Sequence, residues 1–109
     1  MYRYNKNRIE INAHSFEFEY SIKKVVQYNS KYIVMFDLPL KCIKVSNICC
    51  LDENAKPLWQ AEDLNEVYPS RKNIPYEFMS LSNDDIIAYD FYGHCFKINI
   101  DNGKIKGSV

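Results

Sequence analysis

Two histidines, four cysteines and three pairs of adjacent carboxylates are the side chains of this 109-residue sequence that could do chemistry. A histidine beside a thiol offers a base and a nucleophile, so His94-Cys95 comes first. Successive side chains on a strand point to opposite faces. Within the apolar run His94 to Ile100 the two therefore turn away from each other. His14 precedes a strand, with no acid or nucleophile at a telling spacing. Both histidines read as surface or satisfied residues, and no catalytic residue is assigned.

Metal chemistry fares no better. The chain has neither a C-x-x-C nor an H-x-x-x-H pair, and Cys49-Cys50 splits across two faces, which a tetrahedral site disfavours. Cys42, Cys49, Cys95 and His94 would form a site only if the fold converged them. In Ile48-Cys49-Cys50-Leu51 the thiols keep apolar company and read as small, reduced, buried hydrophobes. The three glycines include no G-x-G and no P-loop setting, so no phosphate cradle and no cofactor is expected. The carboxylate pairs Asp52-Glu53, Glu62-Asp63 and Asp84-Asp85 sit on expected turns facing solvent. A glycosidase-like pair would need an aromatic cleft that the sequence does not reveal.

Charge layout is more informative. Residues 1–49 carry eight Lys/Arg against four Asp/Glu, residues 50–90 three against nine, and residues 91–109 three against one. The net charge is zero, which argues against general nucleic-acid binding, where clustered Lys and Arg neutralise phosphates. The acidic block mixes Glu62, Asp63, Glu66, Asp84 and Asp85 with Tyr68 and Tyr76. Acidic, tyrosine-bearing loops suit a basic protein surface, because complementary charge speeds association and fixes register. A solvated face balanced by nearby lysines is the alternative.

The elements that must carry these residues are strands. At 12.9 kDa the chain fits one domain and can bury roughly two thirds of its unfolded surface. The start, MYRYNKNRIEIN, lacks the apolar core of a signal peptide. No apolar run approaches the roughly 18 residues of a membrane helix, so a cytosolic address is expected. In Ser15 to Tyr20, Phe16, Phe18 and Tyr20 alternate with Glu17 and Glu19, the period of a half-buried strand. Ile9 and Ile11 alternate around Glu10. Ile22 to Tyr28 and Lys31 to Phe36 flank Asn29-Ser30 as a hairpin. The second run is apolar on both faces and reads as a central strand.

A strand follows from Lys41 to Asp52, then a turn, then Pro57 to Ala61 with the only tryptophan. Residues 62–75 are irregular, with at most a helical turn around Leu64 and Val67. Tyr76 to Leu81, Asp85 to Phe91, His94 to Ile100 and Lys104 to Val109 complete the set, separated by Asn- and Gly-bearing turns. The pattern predicts an all-β antiparallel sandwich or meander of about eight to ten strands. Its expected core is Phe16, Phe18, Val26, Ile33, Met35, Ile48, Trp59, Phe78, Ile87, Tyr89, Phe96 and Ile98.

Tyr32 to Asp37 matches Asp85 to Asp90 in pattern, and each is followed by an aliphatic-Asp pair, a turn and a lysine. A period of about fifty residues lies in the range of propeller blades. Two units cannot close a propeller, so two stacked meanders are expected. Asn47 to Gln60, with Leu51-Asp52, Lys56 and Trp59, resembles the aliphatic-Leu-Asp-x-x-Gly-Lys-x-x-Trp hairpin of PQQ-type propeller blades. Ala55 stands where that hairpin has glycine. Ala88 to Gly93 and Ile100 to Ile105 resemble its usual companion.

In a chain this short, the two signatures are similar to small β-rich bacterial proteins that include immunity proteins of contact-dependent growth inhibition (CDI) systems. No quinone-binding residues carry over. The resemblance implies a cytosolic protein that binds and blocks a cognate toxin, plausibly a basic nuclease. Its expected contact set is Glu62, Asp63, Glu66, Tyr68, Tyr76, Asp84 and Asp85, acting as a monomer or weak homodimer. The alternatives are a structural or scaffold protein acting through homo-oligomerisation or sheet-edge pairing and a small-molecule-binding β-barrel.

Overall fold

Short alternating runs fold back on themselves, and each run pairs with its neighbour in sequence. The computed structural model describes residues 1–38, 46–70 and 74–109. The first sheet is β1 (Tyr2–Asn5), β2 (Arg8–Ile11) and β3 (His14–Glu17). The second is β4 (Ile22–Tyr28), β5 (Lys31–Phe36), β6 (Ile48–Leu51) and β7 (Pro57–Gln60). A single turn of helix, α1 (Leu64–Val67), leads to the third. That sheet holds β8 (Tyr76–Ser82), β9 (Asp85–Asp90), β10 (Cys95–Asn99) and β11 (Ile105–Ser108). All pairings are antiparallel. The fold is all-β, as the alternation indicates. Among the described residues no sheet closes on itself, so the arrangement is not a barrel. Nor is any helix long and apolar enough to cross a membrane.

The two inner strands of the middle sheet, β5 and β6, are buried on both sides. From β5, Tyr32, Val34 and Phe36 enter a core with Ile9 and Ile11 of the first sheet. Ile33 and Met35 enter another with Met79, Ile86, Ala88, Phe96 and Ile98 of the third. Each such aliphatic side chain contributes roughly 1.5–3 kcal/mol on burial. The doubly apolar run at 32–36 is thus a central strand in depth as well as in order. The second and third sheets are both four-stranded meanders packed on one shared core, the stacked pair that the internal repeat suggests.

Asn47 joins them. It is 1% exposed, and its amide donates to the carbonyls of Phe36 and Tyr76 at 2.9 Å while its oxygen accepts from the Tyr76 N–H at 2.8 Å. Trp59 makes another link, donating its indole N–H to the Ile100 carbonyl at 3.1 Å.

Several expectations need correction. Phe78 and Tyr89 are not core: they face outward, 66% and 40% exposed. The register of β8 against β9 shifts between Tyr76 and Phe78. This irregularity changes the phase of alternation, so Tyr76 and Met79 point inward and Phe78 lies opposite Tyr89 on the outer face. Phe16, Phe18, Val26 and Trp59 are half-buried at the margins of the cores. The strand expected over Ser15 to Tyr20 ends at Glu17. Phe18 and Tyr20 still stack on Phe36, at 5.7 and 6.0 Å. Among the described residues there are eleven strands, and the one not foreseen is β1. The first part of the strand expected from Lys41, with Cys42, lies outside the described residues.

Candidate functional site

Five turns meet at one end of the stack. Asn12 of the β2–β3 turn donates its side-chain amide to the Glu53 carbonyl, in the β6–β7 turn, at 3.3 Å. Tyr28, beside the β4–β5 turn, donates its hydroxyl to Asp84 of the β8–β9 turn. Lys31 reaches Asp101 of the β10–β11 turn at 2.6 Å. Tyr28, Lys31, Asp84 and Asp101 line a shallow groove between the second and third sheets.

Each turn bends through a left-handed residue, namely Asn12 and Ala13 (φ 49° and 70°), Asn29 (54°), Ala55 (60°), Asn83 (55°) or Gly103 (75°). Asparagine and glycine visit that region at low cost. Ala55 occupies the glycine position of the blade-like hairpin in the conformation glycine would adopt.

Carboxylates at this end divide into builders and presenters. Asp52 builds: its Oδ1 accepts the backbone N–H groups of Asn54 (2.8 Å) and Lys56 (3.0 Å). The Lys56 N–H, more than any other group, holds its carboxyl below the usual range; the Lys56 and His14 charges act in the same direction. Glu53, Asp84 and Asp101 are exposed. Accepting the Tyr28 hydroxyl, Asp84 pushes that phenol above its ordinary pKa.

The seven residues singled out from sequence are not one patch. Glu62 is structural: its Oε1 accepts the Ile105 N–H at 3.0 Å while its own N–H donates to the Gly103 carbonyl at 2.8 Å. Asp63 accepts the Ser46 N–H at 2.9 Å. Glu66 is exposed on α1. Tyr68 is half-buried against Phe96, with ring centroids 6.1 Å apart. Tyr76 is 5% exposed and offers almost no surface; burial raises its phenol pKa further. Asp84 stands at the turn end, and Asp85 pairs with Lys106 at 2.9 Å.

Of the seven, only Glu66 and Asp84 are exposed carboxylates. Glu53 and Asp101 belong with Asp84 at the turn end, and the sequence reading passed over both. Their positions in aliphatic-Asp turns were the available signal.

The other reactive side chains are spread out. His94 lies in the turn before β10, where its Nδ1 meets the Asp90 carboxylate at 2.8 Å. The same carboxylate accepts the N–H groups of Tyr92 and His94, both at 2.9 Å, and so shapes the turn. Cys49 faces the first sheet, whereas Cys95 is paired in register with outward-facing Tyr89 on the third. Burial pushes the Cys49 thiol up to about 12 and the Cys50 thiol up to about 11. Among the described residues, no three His, Cys, Asp or Glu side chains gather as metal ligands do.

The family model described as "Domain of unknown function (DUF7957)" matches residues 1–108. No curated protein and no solved structure matches the chain.

Proposed function

The chain belongs to the DUF7957 family, and we propose that it acts as an immunity-type binding protein. In this reading it docks on a toxin domain in the cytosol and covers the basic surface with which that toxin holds its nucleic-acid substrate. One observation carries the proposal: turns from all three sheets converge at one end and present Glu53, Asp84 and Asp101 to solvent. A nuclease surface is rich in Lys and Arg because it must neutralise phosphates. Carboxylates fixed on short turns meet such a surface with little ordering cost, and their field speeds encounter. The hairpin resemblance to CDI immunity proteins supports the same reading.

Glu66 is a further exposed carboxylate, on α1, and Glu62, two residues before that helix, is tied to the β10–β11 hairpin. Glu62, Asp63 and Asp85 keep that surface in place through their internal partners. Calorimetry against the C-terminal domain of the protein encoded immediately upstream tests the proposal. Glu66→Lys combined with Asp84→Lys weakens binding at least about tenfold, as loss and reversal of two rim charges requires. Absence of a complex, or unchanged affinity in a folded double variant, refutes it.

A further inference from the structure

The outer faces of the two end sheets differ in kind. On the first sheet that face carries Arg3, Asn5, Arg8, Glu10 and Glu17, with Arg3 and Glu10 paired at 3.0 Å. It is a face made for water. On the third sheet the register sets Phe78, Tyr89 and Cys95 in one row, with Ile87 in the next; Phe78 and Tyr89 stand open to solvent, while Cys95 and Ile87 are buried, each 9% exposed. Phe91 and Tyr92 continue the patch into the β9–β10 turn, 73% and 69% exposed and in edge-to-face contact at 5.6 Å.

We infer that this face is the contact surface for a second copy of the same chain, stacked face to face as the sheets within one chain are stacked. Area supports this occupant. An aromatic side chain buries roughly 150–250 Å². At the observed exposures, the four rings alone expose on the order of 500 Å². With Ser80 and the stem of Lys97 the patch comes near the roughly 600 Å² per partner at the lower end of specific interfaces. A monomer rarely leaves that much contiguous apolar surface to water.

The symmetry follows from the contrast between faces. Head-to-tail stacking would press the aromatic patch onto Arg3, Arg8, Glu10 and Glu17 and strip them of water. Apolar face on apolar face is isologous, and it closes as a dimer. A twofold axis between the two faces and parallel to β9 lays Tyr89 near its own copy. It also carries Phe78 of one chain toward Cys95 of the other, a large side chain toward a small one. The Asp85–Lys106 pair and Lys97 form a polar rim, and a net charge of zero adds no long-range repulsion between copies. This surface is separate from the acidic turn end, so the dimer leaves that end free.

Sedimentation or light scattering of the purified full chain under reducing conditions, at concentrations up to about 100 µM, tests the inference. The expected mass is twice 12.9 kDa. Phe78→Asp and, separately, Tyr89→Asp shift the protein to monomer at all concentrations with an unchanged circular dichroism spectrum, because both side chains are exposed. Arg3→Glu, on the opposite face, leaves the dimer intact. A monomeric wild-type chain, a dimer lost on adding reductant, or a dimer indifferent to both aromatic changes would overturn it.

Discussion

Gly103 sits beneath the indole of Trp59 so closely that a Cβ at position 103 would lie 2.4 Å from Cε3 of the ring. The β10–β11 turn of the third sheet is thus seated on a strand of the second, and the Trp59 N–H bond to Ile100 fixes it there. Both effects of adding a methyl act in one direction. A left-handed L-residue costs roughly 1–2 kcal/mol, and overpacking costs a further 1–3 kcal/mol or so. Gly103→Ala therefore destabilises the protein by at least about 2 kcal/mol in urea titration. Trp59→Ala opens the space, so the double variant loses less than the sum of the two single changes.

Asn47 serves both meanders at once, satisfying the carbonyl of Phe36 and both backbone groups of Tyr76. Leucine has a similar volume and none of these partners. Each buried backbone group left unpaired costs about 1–3 kcal/mol. Asn47→Leu is expected to lose roughly 3 kcal/mol or more by the same titration. A loss below about 1 kcal/mol, the usual worth of a single hydrogen bond, would show that the two meanders do not depend on this bridge.

Two glutamates four residues apart separate structure from surface. Glu62→Ala frees the Ile105 N–H and loosens β11, lowering the melting temperature by about 4–8 °C if it costs about 1 kcal/mol. Glu66→Ala removes an exposed side chain and stays within about 0.5 kcal/mol of the parent. Equal shifts in the two melting curves would contradict this division.

Alkaline stability carries the mark of the buried thiols. The Cys49 pKa rises from 9.0 to about 12 in the fold. Between those values the unfolded chain has lost the proton and the folded chain keeps it, so unfolding releases protons. Stability is fully present below pH 9 and falls as pH rises toward 12. One such group adds a slope of at most about 1.4 kcal/mol per pH unit. Cys49→Ala reduces the slope measured by denaturant titration from pH 8 to 11, and an unaltered slope would contradict the assignment.

The hairpins were legible because their signals are local. Asn29-Ser30 between two apolar runs marks a turn, and five apolar residues from Tyr32 to Phe36 mark a strand shielded on both faces. Alternation in Tyr2-Arg3-Tyr4-Asn5 was equally present, yet the polar setting hid β1. The aromatic outer face could not be read because it depends on a register shift in β8 that pairing with β9 creates. The acidic set was only half legible for a related reason. Sequence shows that Glu62 and Asp63 are charged, but not that backbone N–H groups from other elements come to meet them.

Because β5 is sandwiched, the chain has no peripheral layer that can be shed without penalty. Deleting residues 1–20 would bare Tyr32, Val34 and Phe36, and deleting the chain beyond residue 62 would bare Ile33 and Met35. A minimal fragment built around the middle meander alone would be greasy on two sides. Amide exchange should accordingly be slowest along this strand, and the three layers should melt together.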